Sequence, residues 1–243
     1  MLETFFIYNG ISSLTLGLRV ETISSSPIPA RRYDYITVPG RNGQMVIDRE
    51  CYEDVRINVS INMMNGIITR SKLGELFDGQ QGTLVLSDDL TRQYDVVAIE
   101  MPTVYRMRPF GRNYDSVSVT FVCAPYRRWV NPTIETCTTS GTEYTYGGTL
   151  PGKPLITIIP ADTDTAAVGT VTINGTLIDI DAFDQTIAVD CELMECYFPD
   201  DDNSSANGIV SMEEYPVLTH GTFEVDFDGN VASVQIDFRE CDL

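Results

Sequence analysis

Few residues in this chain have the chemistry of a catalyst. His220 is the single histidine, set between Thr219 and Gly221. A catalytic imidazole needs a nucleophile or an orienting carboxylate within reach, and no motif around it supplies one. It reads as a turn histidine. Asp200-Asp201-Asp202-Asn203-Ser204 is an acidic run. Calcium takes about six to eight oxygen ligands from a shaped loop. The run lacks the EF-hand spacing and its closing glutamate, so Asp200, Asp201 and Asp202 are only weak metal candidates and read as a solvated loop. Asp179, Asp181 and Asp184 form a thinner cluster. If 177–182 is a strand, Asp179 and Asp181 share its exposed face.

Cys51, Cys123, Cys137, Cys191, Cys196 and Cys241 show no C-x-x-C spacing, which leaves no zinc or redox motif. They read as free, mostly buried thiols, since cysteine behaves as a small apolar residue. Gly40-Arg41-Asn42-Gly43 could pass for a phosphate-cradling turn, but it lacks the Lys-Ser/Thr and the following helix of a P-loop. Arg106-Met107-Arg108-Pro109-Phe110-Gly111-Arg112-Asn113 is basic and turn-rich. It reads as a loop that meets an acidic neighbour or as a solvated hairpin loop; a nucleic-acid patch would need a basic surround. Arg41, Asn42, Arg106, Arg108 and Arg112 are therefore the interface candidates. A sugar site needs an aromatic platform. Tyr144, Tyr146, Tyr197 and Tyr215 could serve, although tyrosines in sandwiches are more often partly buried. No nucleophile–base pair, metal cage or cofactor motif emerges, and the chain reads as a non-enzyme.

The elements that would carry these residues are strands. Val55, Ile57, Val59, Ile61 and Met63 alternate with polar residues, as do Val117, Val119, Phe121 and Cys123. Period two with one apolar set predicts a strand with one buried face. Phe223, Val225, Phe227 and Val234, Ile236, Phe238 repeat the pattern on either side of Asp228-Gly229-Asn230, which predicts a hairpin. Asn174-Gly175 predicts another tight turn. One helix is expected, over Thr69–Phe77, with Leu73, Leu76 and Phe77 on one face and Gly74 weakening it. The Thr-, Ser- and Gly-rich stretch from Asn131 to Gly152 reads as a connection or an entry hairpin.

Charge divides the chain. Residues 1–130 hold 14 Lys+Arg and 14 Asp+Glu; residues 131–243 hold 2 and 21, the whole −19. A neutral half can pack against copies of itself, and a half at −19 repels itself and nucleic acid. We therefore expect a domain over 1–130 and an acidic β-sandwich over 131–243. No run of about 18 apolar residues offers a membrane span. Glu3 stands where a signal peptide would be basic or apolar, so folding in the cytoplasm is expected.

The order of features resembles one family. Asn9-Gly10-Ile11 follows an aromatic strand; Val38-Pro39-Gly40-Arg41-Asn42-Gly43 precedes the first alternating strand. Val119-Thr120-Phe121-Val122-Cys123-Ala124-Pro125-Tyr126 closes the first half, and Tyr215-Pro216-Val217-Leu218-Thr219-His220-Gly221 leads to the last alternating runs. Together these resemble the distal tail proteins of long-tailed, non-contractile bacteriophages, over essentially the whole chain. The resemblance implies a mainly β fold: a tail-tube-like N-terminal β domain with one short helix, then a galectin-like β-sandwich. It implies a virion component at the tail tip, made in the host cytoplasm. There a hexameric ring would join the tail tube protein to the tail-tip or tail-associated lysin protein, with receptor-binding proteins anchored outside. DNA would pass through without specific binding. A carbohydrate-binding module or adhesin, and a tail-tube subunit, are the alternative readings.

Overall fold

The computed structural model describes residues 4–24, 28–64, 70–78, 81–107 and 114–243. The chain divides into two compact units, Met1–Val130 with Leu243, and Asn131–Asp242.

In the first unit β1 (Phe6–Tyr8) turns into β2 (Ile11–Ser12) over Asn9-Gly10. Both turn residues have positive φ, 48° and 76°, the twist a two-residue antiparallel turn requires. Next come β3 (Arg19–Ile23), β4 (Arg31–Thr37), β5 (Gln44–Tyr52), β6 (Val55–Met64) and α1 (Arg70–Leu76). They are followed by β7 (Gly82–Leu86), β8 (Asp89–Met107) and β9 (Tyr114–Trp129). The main sheet runs β2-β1-β7-β8-β9-β6-β3. Its register explains the alternating sequence: Val55, Ile57, Val59 and Ile61 lie opposite Cys123, Phe121, Val119 and Val117. Residues directly opposite share a face, and all eight are buried. α1 docks on the same core through Leu73, and Phe77 follows just beyond its last residue. A helix this short is held by packing rather than by propensity. Phe77, Phe6 and Tyr8 surround Phe121 at centroid distances of 5.9, 5.8 and 5.5 Å.

The second unit contains β10 (Ile134–Cys137), β11 (Thr142–Tyr146), β12 (Leu155–Pro160) and β13 (Ala167–Ile173). Then come β14 (Thr176–Phe183), β15 (Ile187–Asp190), β16 (Glu195–Phe198) and β17 (Ser204–Ser205). β18 (Val210–Met212), β19 (Gly221–Gly229) and β20 (Val231–Asp237) follow. They form two sheets, β10-β20-β12-β15-β16-β17 and β11-β19-β13-β14-β18. Ile156, Ile158, Val189, Val234 and Ile236 from one sheet, with Val171, Ile173, Ile178 and Val225 from the other, make one buried core. This is the expected sandwich, each such side chain contributing about 1.5–3 kcal/mol on burial. Asn174-Gly175 makes the tight β13–β14 turn, at φ 51° and 81°.

The hairpin expected at Asp228-Gly229-Asn230 is not formed. β19 pairs with β11 and β13, and β20 with β10 and β12, so the chain crosses from one sheet to the other at this point. Gly229 has φ +74°, and a Cβ there would sit 2.4 Å from the Val168 carbonyl oxygen. Buried Asn230 pins the corner: its amide donates to the Phe183 carbonyl at 2.8 Å, and its Oδ1 accepts from Asp162 N–H at 2.8 Å. A sheet-switching corner needs positive φ as much as a hairpin does, so the dipeptide alone does not separate them. Gly229→Ala should destabilise the second unit by about 1–3 kcal/mol, read as a fall in the denaturant midpoint. The stretch read as a connection or an entry hairpin is neither: it supplies β10 and β11, one strand to each sheet.

Candidate assembly interface

β4 and β5 pair only with each other among the described residues. Their register puts Tyr33, Tyr35 and Thr37 opposite Asp48, Val46 and Gln44, and Asp34 and Ile36 opposite Ile47 and Met45. The hairpin therefore has two faces, each with large apolar side chains. Tyr35 and Val46 are 61% and 53% exposed on one; Ile36 and Met45 are 44% and 46% exposed on the other. An isolated two-stranded hairpin is marginal in water, and contiguous exposed apolar surface marks interaction sites. The polar groups near its base neutralise one another. Arg31 Nε meets Asp48 at 2.8 Å, and Arg49 pairs with Asp34. This leaves the arm able to enter a dry interface without carrying unpaired charges from these residues.

The tip of this hairpin is the glycine turn. Gly40 and Gly43 sit at φ +82° and +83°, and Arg41 N–H closes on the Val38 carbonyl at 3.2 Å. Arg41 and Asn42 are exposed there. Arg106 belongs to β8; Arg108 and Arg112 lie outside the described residues. The five candidates are thus not gathered into one described cluster. The apolar residues of the arm escaped the sequence reading because both faces are apolar, so neither shows the one-sided alternation that announces a strand.

In the second unit, Asp200, Asp201 and Asp202 occupy the exposed turn between β16 and β17, where Asp201 accepts from the Ser204 hydroxyl at 2.7 Å. Among the described residues no three His, Cys, Asp or Glu side chains stand together in a metal-holding group. Asp179 and Asp181 are exposed on β14. His220 is exposed, its Nδ1 3.3 Å from the Gly148 carbonyl. Cys51 is exposed, the other five cysteines are buried, and none of the six is in a disulfide; burial pushes Cys123 and Cys191 up to about 12.

Tyr146, one of the possible platform residues, is fully buried. Its hydroxyl donates to the Leu150 carbonyl at 2.9 Å and accepts from Cys241 N–H at 3.2 Å. Gly148 and Gly152 close over it, each leaving less than 3 Å to the hydroxyl for an added Cβ, at 2.4 and 2.5 Å. Tyr146→Phe removes both of these buried hydrogen bonds, and should cost about 1–3 kcal/mol in an equilibrium melt. Tyr144, Tyr197 and Tyr215 are half-buried. Sequence reasoning also missed the role of Arg239. Its guanidinium holds Asp190 through two bonds of 2.8 and 2.9 Å and reaches Glu192 at 3.4 Å.

No family model matches the sequence, and no curated protein matches it. Among solved structures, the chain is similar to SPP1 Dit (gp 19.1), described as a paradigm of the hub adsorption apparatus in Gram-positive infecting phages. The TM-score is 0.73 at 14% identity, and the match covers 99% of each chain. The chain has the distal tail protein fold. That fold runs through both units here, including the acidic sandwich. Among the described residues of this distal tail fold, no helix is long and apolar enough to cross a membrane.

Proposed function

We propose that the protein is a structural component of a phage tail tip. It forms a hexameric ring that joins the tail tube protein to the tail-tip or tail-associated lysin protein, and its acidic unit offers a foothold for receptor-binding proteins. DNA passes through the ring without specific binding. The observation that carries this reading is the likeness to a tail hub protein over 99% of both chains. The ring is supported by the charge balance of residues 1–130 and by the two-faced apolar arm of β4 and β5. Closed cyclic symmetry needs a head-to-tail contact that returns on itself, and an arm leaving one copy for the next makes such a contact. The function is geometric rather than catalytic.

Native mass spectrometry of the full-length protein tests the ring. A hexamer, or a pair of hexamers, is the expected species; a strict monomer at high concentration speaks against it. Immunogold labelling of virions that carry the protein tests its place, with label expected at the tail end away from the head. Label along the whole tail would instead indicate a tube subunit.

A further inference from the structure

β18 is the outermost strand of its sheet. Asp181 N–H donates to the Ile209 carbonyl at 2.8 Å, and Ile180, Asp179 and Ile178 then lie opposite Val210, Ser211 and Met212. In an antiparallel pair the bonded positions alternate. Ile209 and Ser211 thus bond inward to β14, and Val210 and Met212 direct their backbone N–H and C=O groups to the open edge. Across β14 and β18 runs a groove of about 560 Å³, lined by Leu177 and Asp179 from β14, Ser211 and Met212 from β18, and Glu213 and Glu214 just beyond. Leu177 is 47% exposed, so the groove combines apolar surface with a rim of carboxylates.

Open edges are usually blunted by lysine, proline or a bulge. β18 has no lysine, proline or bulge; it is blunted only by its length of three residues, Val-Ser-Met, and by Glu213 and Glu214, which follow it directly. The only cations of residues 131–243 are Lys153 and Arg239, and Arg239 is held by Asp190 and Glu192. Carboxylates at an edge repel another copy of the same acidic unit, and they attract a cationic strand. The edge is guarded against itself by sign of charge and left open to the opposite sign.

We propose that the β18 edge and its groove form a docking site for an extended, lysine- or arginine-bearing segment of another protein, which adds to the sheet as a further strand. Backbone hydrogen bonds to Val210 and Met212 would give affinity, and cationic side chains would meet Glu213 and Glu214, a long one reaching over Ser211 to Asp179. The inference rests on this sheet alone and stands or falls independently of the tail-tip reading.

The test uses the full-length protein and a dye-labelled peptide alternating lysine and valine, followed by fluorescence anisotropy. Three comparisons decide it. An analogue with alternate backbone nitrogens methylated keeps the charge but cannot pair as a strand, and should bind at least about tenfold more weakly. Glu213→Gln/Glu214→Gln should weaken the parent peptide by about tenfold, near 1.4 kcal/mol. Glu195→Gln/Asp200→Asn, a charge-matched change on β16 and the loop after it, should alter binding by less than about twofold. Absence of binding by the parent peptide overturns the proposal. So does equal binding of the methylated analogue, or an equal loss in the two double variants, since either would leave only diffuse charge attraction.

Discussion

Arg239→Ala should destabilise the acidic unit by about 3–5 kcal/mol, a large part of the stability of a typical domain. The side chains of Arg239 and Asp190 are 20% and 5% exposed, so removing the guanidinium leaves a carboxylate buried without its counter-charge. Burial alone would raise the Asp190 pKa. The Arg239 hydrogen bonds, with the backbone N–H groups of Leu193 and Glu192, outweigh it and hold the group below its ordinary value. A depressed folded pKa stabilises above the unfolded value of about 3.9, and the contribution is lost as pH falls through the folded value. In the variant, burial dominates and Asp190 takes up its proton at higher pH. The stability gap between the two proteins should therefore be widest near neutral pH and narrow in acid. Urea melts at several pH values measure this directly; a gap that stays constant with pH would show that the loss came from packing of the arginine stem instead.

Val46→Asp combined with Ile36→Asp should convert the ring proposed above to monomers while leaving the fold intact. The two substitutions put one carboxylate on each face of the β4–β5 arm. Both sites are largely exposed in the single chain, at 53% and 44%, so the cost to the monomer should stay within about 0.5 kcal/mol. In an interface the same carboxylates would be desolvated without partners, at a cost of several kcal/mol each. Native mass spectrometry reads the loss of the ring and circular dichroism reads the retained fold. Either single variant should weaken assembly if both faces are covered. If only one variant has an effect, the arm lies flat on its neighbour with the other face in solvent.

The sequence announces a core wherever one face is buried and the other wet. Ile57, Val59, Val119 and Phe121 were legible for that reason, as was Val225 in the sandwich. Asn174-Gly175 was legible because its turn is local. Asp228-Gly229-Asn230 was misread because which strands flank a corner is decided by distant partners, here Val168, Asp162 and Phe183. Strands β10 and β11 were hidden by composition; Thr, Ser and Gly suit a loop as well as a strand whose neighbours supply the order. The candidate site was the least legible part. The arm has no buried face within its own chain, and hence no period that separates it from a loop. Arg239 carried one faint signal. It is a lone arginine in a region with 21 acids, and a lone counter-charge in such a region is worth suspecting as a structural anchor.

The lost hairpin at Gly229 has a further meaning. Because β20 returns to the other sheet, it lies beside β10, with Ile134 opposite Asp237 and Phe238 N–H bonded to the Thr133 carbonyl at 3.0 Å. Thr133 is fastened again through its hydroxyl to Glu240 at 2.7 Å. The sandwich is thus entered and left through adjacent strands, clasped at their base. A module with neighbouring ends can be removed, exchanged or interrupted by insertion without cutting through the body that carries it. For the tail-tip role proposed above, exchange of this sandwich for one of different surface chemistry would be a change by cassette.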